Sequence, residues 1–543
     1  MSASAAADPS LGRLADALLI PPFPGRTVPA WVLEALAGGL AGVTVFSPNI
    51  GSTGQLGDLI AGLRAAADEP VVAIDEEGGD VTRIAHLTGS PYPGNAALGA
   101  VDDPALTRAV YRALGADLAA LGVTLNLAPS VDVNTAADNP VIGTRSFGAD
   151  PALVARNAAA AVTGLQSAGV AACAKHFPGH GSTSIDSHHE IATVTGSMEV
   201  ITRRDLPPFV AAIEAGVRAV MPGHLRIPAL PGNLPASLSA AVQTGLLRGE
   251  LGFDGVIVSD ALEMRAVSAP YGISEAAVMA VAAGTDLLCL GRDQDQLTYL
   301  EVRQALVDAV RSGRLPASRL EESVERVREL RGWVTAARER AARSGSRSGR
   351  GAAALLDGEG YVDGAVVGLT AARRALRLDG TAGPGADPFL VEIVPPSNIA
   401  VGTVPWGLSR WVRPSSVHRI STDLIAAGAA DAAAAALSAG AAEGRPLLIV
   451  VRDAHRYPVA QSVVRALLAA RPDAVVVEMG LPIWRPSAAD AEPRHAYLAT
   501  FGATHASSLA AAEILGLSSD PAQPELTQPD LTQEVSTHGP DRP

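Results

Sequence analysis

From residue 15 to about 335 the chain repeats one unit: a short apolar run, a polar turn, then a longer stretch with helical spacing. The runs are ADALLIPPF (15–23), GVTVFSP (42–48), VVAIDEE (71–77), VTLNLAPSVDV (123–133), VAACAKHF (170–177), RAVMPGH (218–224), GVIVSDA (255–261) and TDLLCLG (285–291). Each is too short for an isolated helix, and most are rich in Val, Ile and Leu. Near-continuous apolar runs of this kind suit parallel strands buried on both faces. Helical patterns separate them, as in PALVARNAAAAVTGLQSAG (151–169) and AAVQTGLLRGELG (240–252).

Eight such units predict an α/β fold, a (β/α)8 TIM-like barrel over residues 1–337, with a doubly wound open sheet as the competitor. The polar residues favour the barrel. Asp75, Lys175, His176, His224 and Asp260 fall at or just past the C-terminal ends of predicted strands. Those ends converge on one mouth in a barrel, whereas an open sheet strings them along an edge. The Ser/Gly/Arg-rich stretch 338–354 reads as a linker. A smaller α/β sandwich is expected over 355–518, with strands in PFLVEIVPP (388–396), PLLIVVRDA (446–454) and AVVVEMGLP (474–482) and an Ala-rich helix over 425–442. The polar, Pro-rich tail 519–543 reads as disordered.

Composition narrows the function. The 543 residues are 48% hydrophobic and 18% charged, which fits a globular chain with large cores. A net charge of −14 argues against a nucleic-acid or anionic-membrane partner, and an aromatic share of 4% argues against base-stacking platforms. The N-terminal stretch lacks a basic region ahead of its short apolar run, and no later segment is long and apolar enough to span a bilayer, so a cytoplasmic location is expected. The two cysteines, Cys173 and Cys289, sit in apolar runs and read as buried small hydrophobes.

The candidate chemistry concentrates in KHFPGHGSTSIDSHH (175–189), which holds four of the eleven histidines. Lys175 and His176 sit at a strand end. Gly179 and Gly181 then turn the chain away and read as hinges. Alternate residues of an extended segment point the same way, so Asp186 and His188 are placed to meet. A carboxylate bonded to a histidine orients the ring and raises its basicity, which makes the pair a proton carrier on a mobile arm. Zinc ligation by His176, His180, His188 and His189 is the competing reading, but the spacing matches neither a helical H-E-x-x-H nor a finger, and Lys175 repels a cation. A solvated loop with scattered histidines is the third.

Three further stretches carry carboxylates or arginines to strand ends. In GVIVSDALEM (255–264), Asp260 reads either as a helix cap or as a nucleophile at the seventh strand. In AIDEEGGDVTRI (73–84), Asp75 ends the third strand, Gly78 and Gly79 permit a tight turn, and Arg83 returns towards the mouth; Glu76, Glu77 and Asp80 read as surface-turn residues. GTRSFG (143–148) presents Arg145 after the fourth strand.

Taken together, IDEEGGDVTR, TRSFG, KHFPGHG followed by DSH, and SDALEM resemble the family 3 glycoside hydrolases, and within them the bacterial β-N-acetylglucosaminidases. The motifs occur in the family's order across residues 15 to about 337. The resemblance implies that Asp260 is the nucleophile, His188 the general acid/base and Asp186 its partner. It implies that Asp75, Arg83, Arg145, Lys175 and His176 grip the sugar whose bond is cleaved. Two departures stand out. Where the family often reads D-Q-E-G-G-R-V-x-R, this chain has Glu76 and Asp80, which predicts a more acidic rim; and His188 is followed by His189-Glu190-Ile191-Ala192. Both leave the group attached to the sugar open.

The implied activity is that of a retaining exo-β-N-acetylglucosaminidase acting on cell-wall fragments or chito-oligosaccharides, with a small carbohydrate as its partner and neither metal nor cofactor. Protonated His188 donates to the leaving oxygen while Asp260 attacks; neutral His188 then activates water. A neutral base does not repel an anion, so phosphorolysis to GlcNAc 1-phosphate is the enzymatic alternative. A non-catalytic sugar-binding barrel and a metal-dependent hydrolase are the others. Oligomeric state is not legible.

Overall fold

The computed structural model describes residues 9–185, 190–345, 363–381, 387–396, 398–424, 428–439, 444–486 and 496–517. Eight parallel strands form the first domain: β1 (Leu19–Ile20), β2 (Gly42–Val45), β3 (Val71–Ile74), β4 (Leu125–Asn126), β5 (Ala171–Phe177), β6 (Ala219–Pro222), β7 (Val256–Ile257) and β8 (Leu288–Cys289). They pair in chain order from β2 to β7. A bridge from Val258 to Leu287 adds β8, and β8 pairs with β1. The Thr44 amide donates to the Pro21 carbonyl at 3.2 Å and closes the ring between β1 and β2. This is the TIM-like barrel expected from the run pattern.

Alternation along the strands builds two cores. On β5, Ala171 and Cys173 face the lumen with Leu125, Leu127, Val71 and Cys289, while Ala172 and Ala174 pack outwards against the helices. Lys175 continues the inward series and so reaches the mouth. His176 falls on the outward parity, but the pairing of β5 with β6 is irregular between Lys175 and Phe177, and this lets His176 turn to the same side. Helix Ala317–Gly345 closes the other end. Its Val327, Leu330 and Val334 plug the lumen, and its Arg338 donates to the Val123 carbonyl at 2.6 Å.

Several expected boundaries shift. The first run begins in helix Pro9–Asp16 and contributes only two strand residues. The fourth run has only two strand residues but stays hydrogen-bonded to β5 as far as Val131, whose amide donates to the Lys175 carbonyl at 2.8 Å, and then becomes the loop that enters the site. Residues 338–345, read as linker, continue the helix, with Glu339 and Arg343 paired one turn apart at 3.6 Å. The remainder of that linker and the tail 519–543 lie outside the described residues.

The second domain is a six-stranded sheet of β9 (Arg377–Asp379), β10 (Phe389–Val394), β11 (Val417–Ser421), β12 (Leu447–Val451), β13 (Val475–Glu478) and β14 (Ala496–Ala499), in the order β9-β14-β13-β12-β10-β11. Only β9 is antiparallel. Apolar cores cover both faces: Phe389, Val391 and Ile393 point to one, Leu390 to the other. The Ala-rich helix spans Ala429–Ala439. Helix Gly364–Ala375 joins the domains. A Cβ on Gly368 would stand 1.9 Å from the Pro91 carbonyl oxygen and one on Gly364 would stand 2.2 Å from the Tyr92 hydroxyl, so two glycines one turn apart let this helix lie directly on the barrel. No single described helix is long and apolar enough to cross a membrane.

Candidate active site

The mouth of the barrel is built from loops that leave β3, β4, β5 and β7. At its centre, Lys175 Nζ lies 2.8 Å from Asp75 Oδ1 and 2.8 Å from Glu77 Oε1. Arg145 meets Glu77 through two hydrogen bonds, Nε to Oε2 at 2.9 Å and Nη2 to Oε1 at 2.7 Å. Arg83 Nη2 approaches Asp75 Oδ2 at 3.8 Å. Burial pushes the Glu77 carboxyl up, but the Arg145 and Lys175 charges outweigh it and hold the group well below the usual carboxylate range. Burial opposes the charge on Lys175 too, and there Asp75 and Glu77 prevail and raise its pKa. Both cations therefore stay charged in a buried setting, a condition that requires such pairing.

Asp132 organises the neighbouring loop. Its Oδ2 accepts from His176 Nδ1 at 2.8 Å and from Ser130 Oγ at 3.0 Å, and its Oδ1 from the His180 amide at 2.6 Å and the His176 amide at 3.2 Å. With Nδ1 donating to the carboxylate, Nε2 of His176 faces Arg145 Nη2 at 3.4 Å as an acceptor. His180 packs edge-on against His176, with its Nδ1 2.7 Å from Thr183 Oγ1. Burial, then His176, lowers its pKa to about 4, which leaves it neutral at physiological pH.

The glycines of the HFPGHG stretch, read as hinges, sit in close packing. Gly179 has φ +137°, and a Cβ there would stand 2.7 Å from Asp205 Cβ; a Cβ on Gly181 would stand 2.0 Å from the Val133 carbonyl oxygen. Both positions demand glycine for close packing, so the first half of the loop is anchored. Asp186, His188 and His189 lie outside the described residues.

Past β7, Asp260 is half-buried, and its Oδ1 accepts from the Ala261 amide at 2.8 Å. His224, buried at the end of β6, steadies this segment. Its Nε2 donates to the Ala261 carbonyl at 3.0 Å, and its Nδ1 lies 2.7 Å from Ser237 Oγ. Below them, burial raises the Cys173 pKa, Lys175 opposes the rise, and the charges of Asp75 and Asp260 add to it. Glu263 is turned away. Its Oε1 accepts from the Arg292 amide at 3.0 Å, and its carboxyl occupies the space a side chain at Gly291 would need. Burial raises its pKa to about 7, and Asp260 adds to the effect.

The structure thus gathers Asp75, Arg83, Arg145, Lys175 and His176 at one mouth. It corrects the reading of Glu76, Glu77 and Asp80 as surface-turn residues, and of Glu76 and Asp80 as an acidic rim: all three are buried. Glu76 Oε2 accepts from the Arg83 and Ile84 amides at 2.8 and 3.0 Å and braces the turn beneath Arg83. Burial lifts its pKa to about 7. Sequence reasoning missed Glu77 and Asp132 as site residues. Asp132 had one available signal, a lone carboxylate in an apolar run, and Glu77 had none beyond its neighbour Asp75. Among the described residues no cluster of His, Cys, Asp or Glu has a metal-holding arrangement.

Residues 24–330 match the N-terminal domain of glycosyl hydrolase family 3, more than half of the chain, and the chain belongs to that family. Within the family it is similar to proteins named for β-hexosaminidase activity. It is 33% identical over 318 residues to β-hexosaminidase A of Pseudoalteromonas piscicida, and 39% identical over 285 residues to β-hexosaminidase LpqI of Mycobacterium tuberculosis. These matches span 54% and 51% of this chain, and 53% and 72% of those relatives, so the chain spans about half the length of the first. A family 3 β-N-acetylglucosaminidase from Paenibacillus sp. str. FPU-7 superposes with a TM-score of 0.78 at 32% identity, over 93% of this chain and 96% of that one. That likeness takes in the second domain as well as the barrel.

Proposed function

We propose that the chain is a retaining exo-β-N-acetylglucosaminidase that removes terminal β-linked GlcNAc from cell-wall fragments or chito-oligosaccharides. The observation that carries the reading is the Asp75–Lys175–Glu77–Arg145 cluster at the ends of β3 and β5, with Asp260 following β7 of the same barrel. A sugar ring presents hydroxyls that donate and accept. The cluster offers a half-buried carboxylate to accept from them and fixed cations to donate, all pre-set by their mutual pairing. The likeness to the β-N-acetylglucosaminidase of Paenibacillus sp. str. FPU-7 supports the GlcNAc class.

In the proposed reaction Asp260 attacks the anomeric carbon while His188 gives its proton to the leaving oxygen, forming a glycosyl ester on Asp260. The vacated imidazole then takes a proton from water, the oxygen of which displaces Asp260 and releases the sugar with its configuration retained. Asp186 orients the imidazole.

The test is a product assay on p-nitrophenyl β-GlcNAc with and without phosphate. Release of GlcNAc in both supports hydrolysis. GlcNAc 1-phosphate in the phosphate arm identifies a phosphorylase instead, and no turnover in either arm overturns the reading.

A further inference from the structure

Asp80 sits at the tip of the loop that leaves β3, and it is tied to more than the barrel. Its Oδ2 accepts from Thr144 Oγ1 at 2.7 Å and from Arg452 Nη2 of the second domain at 3.0 Å. Its Oδ1 accepts from the Ala503 amide, also of the second domain, at 2.9 Å. The Asp80 side chain is 2% exposed. We propose that Asp80 and Arg452 are positioning residues for the sugar site: through them the second domain sets the two barrel loops that carry Asp75, Glu77, Arg83 and Arg145.

Asp80 lies between Glu77 and Arg83 in the chain, and Thr144 directly precedes Arg145, so one carboxylate fixes both gripping loops at once. Other contacts repeat the pattern. Arg83 Nη1 donates to the Ala400 carbonyl at 3.1 Å, Asn398 Nδ2 to the Pro140 carbonyl at 2.8 Å, and His455 Nε2 to the Ala137 carbonyl at 2.8 Å. The second-domain side is itself held firmly. Glu478, buried at the end of β13, accepts from the amides of Asp453 at 2.7 Å, Ala454 at 3.1 Å and Gly480 at 2.8 Å, which locks the turn that follows Arg452. Arg452 also lies over the Trp406 ring, 5.9 Å from its centroid.

An exposed interdomain ion pair would contribute little. This one is buried, and its loss leaves a carboxylate short of a charged donor. Asp80 would move towards water and draw Val81–Arg83 with it. The Glu76 brace under Arg83 remains, so the effect is a graded displacement of the gripping residues. Such residues hold the sugar in the ground state and the transition state alike, and loosening them raises KM with little change in kcat.

The inference uses the functional reading above only for its kinetic arm. In the full chain, Arg452→Ala should raise KM for p-nitrophenyl β-GlcNAc by about tenfold with kcat within about twofold, and Arg452→Lys should recover most of the loss. Hydrogen exchange of the substrate-free protein should show faster exchange in 76–86 and 140–146, with the barrel strands unchanged. Unchanged exchange in both segments overturns the inference, as does loosening spread evenly over the chain without Lys rescue. A wild-type chain inactive on this substrate would sink the functional reading, while the exchange arm would still decide the role of Asp80 and Arg452.

Discussion

Glu77 and Arg145, 68 residues apart in the chain, meet in a two-point pair that is almost sealed from water, with side-chain exposures of 4% and 6%. Lys175 shares the same carboxylate. Glu77 is thus a counter-charge shared by two cations at the floor of the barrel mouth.

Removing it strands Arg145 and leaves Lys175 with Asp75 alone. Glu77→Ala should destabilise the barrel by about 3–5 kcal/mol, the scale for breaking a buried pair by deleting one partner. Glu77→Gln keeps an acceptor and should fold, but with Lys175 and Arg145 drawn out of place and kcat/KM reduced. Urea denaturation and kinetics of the two variants check this. A Glu77→Ala chain as stable as the parent would show that the pair is not structural.

Glu76 gives the protein a pH signature. Its folded pKa of about 7 stands above the ordinary 4.5 because the carboxyl is buried. The folded state therefore keeps a proton that the unfolded chain loses, and the stabilisation, full below about pH 4.5, declines as pH rises through about 7. For a shift of this size the effect is on the order of 3 kcal/mol. Gln at this position can still accept from both the Arg83 and Ile84 amides. Glu76→Gln should flatten the decline in stability between pH 5 and 7.5, as read by denaturation at each pH. An identical slope in parent and variant would contradict the assignment.

His188 is testable through leaving-group chemistry. His188→Ala should cripple hydrolysis of natural glycosides, whose alkoxides need a proton, by about 10²–10⁴-fold. p-Nitrophenolate leaves with little help, so the first step on that substrate should suffer less and the glycosyl-enzyme should accumulate. Azide needs no deprotonation and should rescue turnover. Equal slowing of both substrates with no azide rescue would mark His188 as a binding or structural residue. Asp186→Ala should show a milder form of the same behaviour.

What was legible in the chain follows from locality. VAACAKHF reads as a strand because its apolar run is continuous, and Lys175 and His176 read as site residues because charge at such a strand end needs a reason. The runs around 389–394, 447–451 and 475–478 were equally plain. The strands Arg377–Asp379 and Val417–Ser421 were not, since RLD and VHRIS carry no apolar run and owe their conformation to sheet partners far along the chain. The same holds for polar residues. DEEGGD looks like a solvated turn, and only the arrival of Arg145, Lys175 and Arg452 turns Glu77 and Asp80 into buried acceptors. Asp80 stood out as a departure from the family motif, yet its partner lies 372 residues away. Gly179 and Gly181 read as hinges because glycine permits both motion and close packing, and only the neighbouring backbone tells which.

The central claim is that Asp260 forms a covalent bond to the sugar. A mechanism-based fluorosugar of the GlcNAc series should trap that intermediate, and peptide mass spectrometry of the digested protein should locate it. The account predicts one label, on Asp260, and an Asp260→Ala chain that folds normally, turns over no aryl β-GlcNAc and takes up no label. A label on Glu263, three residues on and facing Gly291 in the structure, would contradict it.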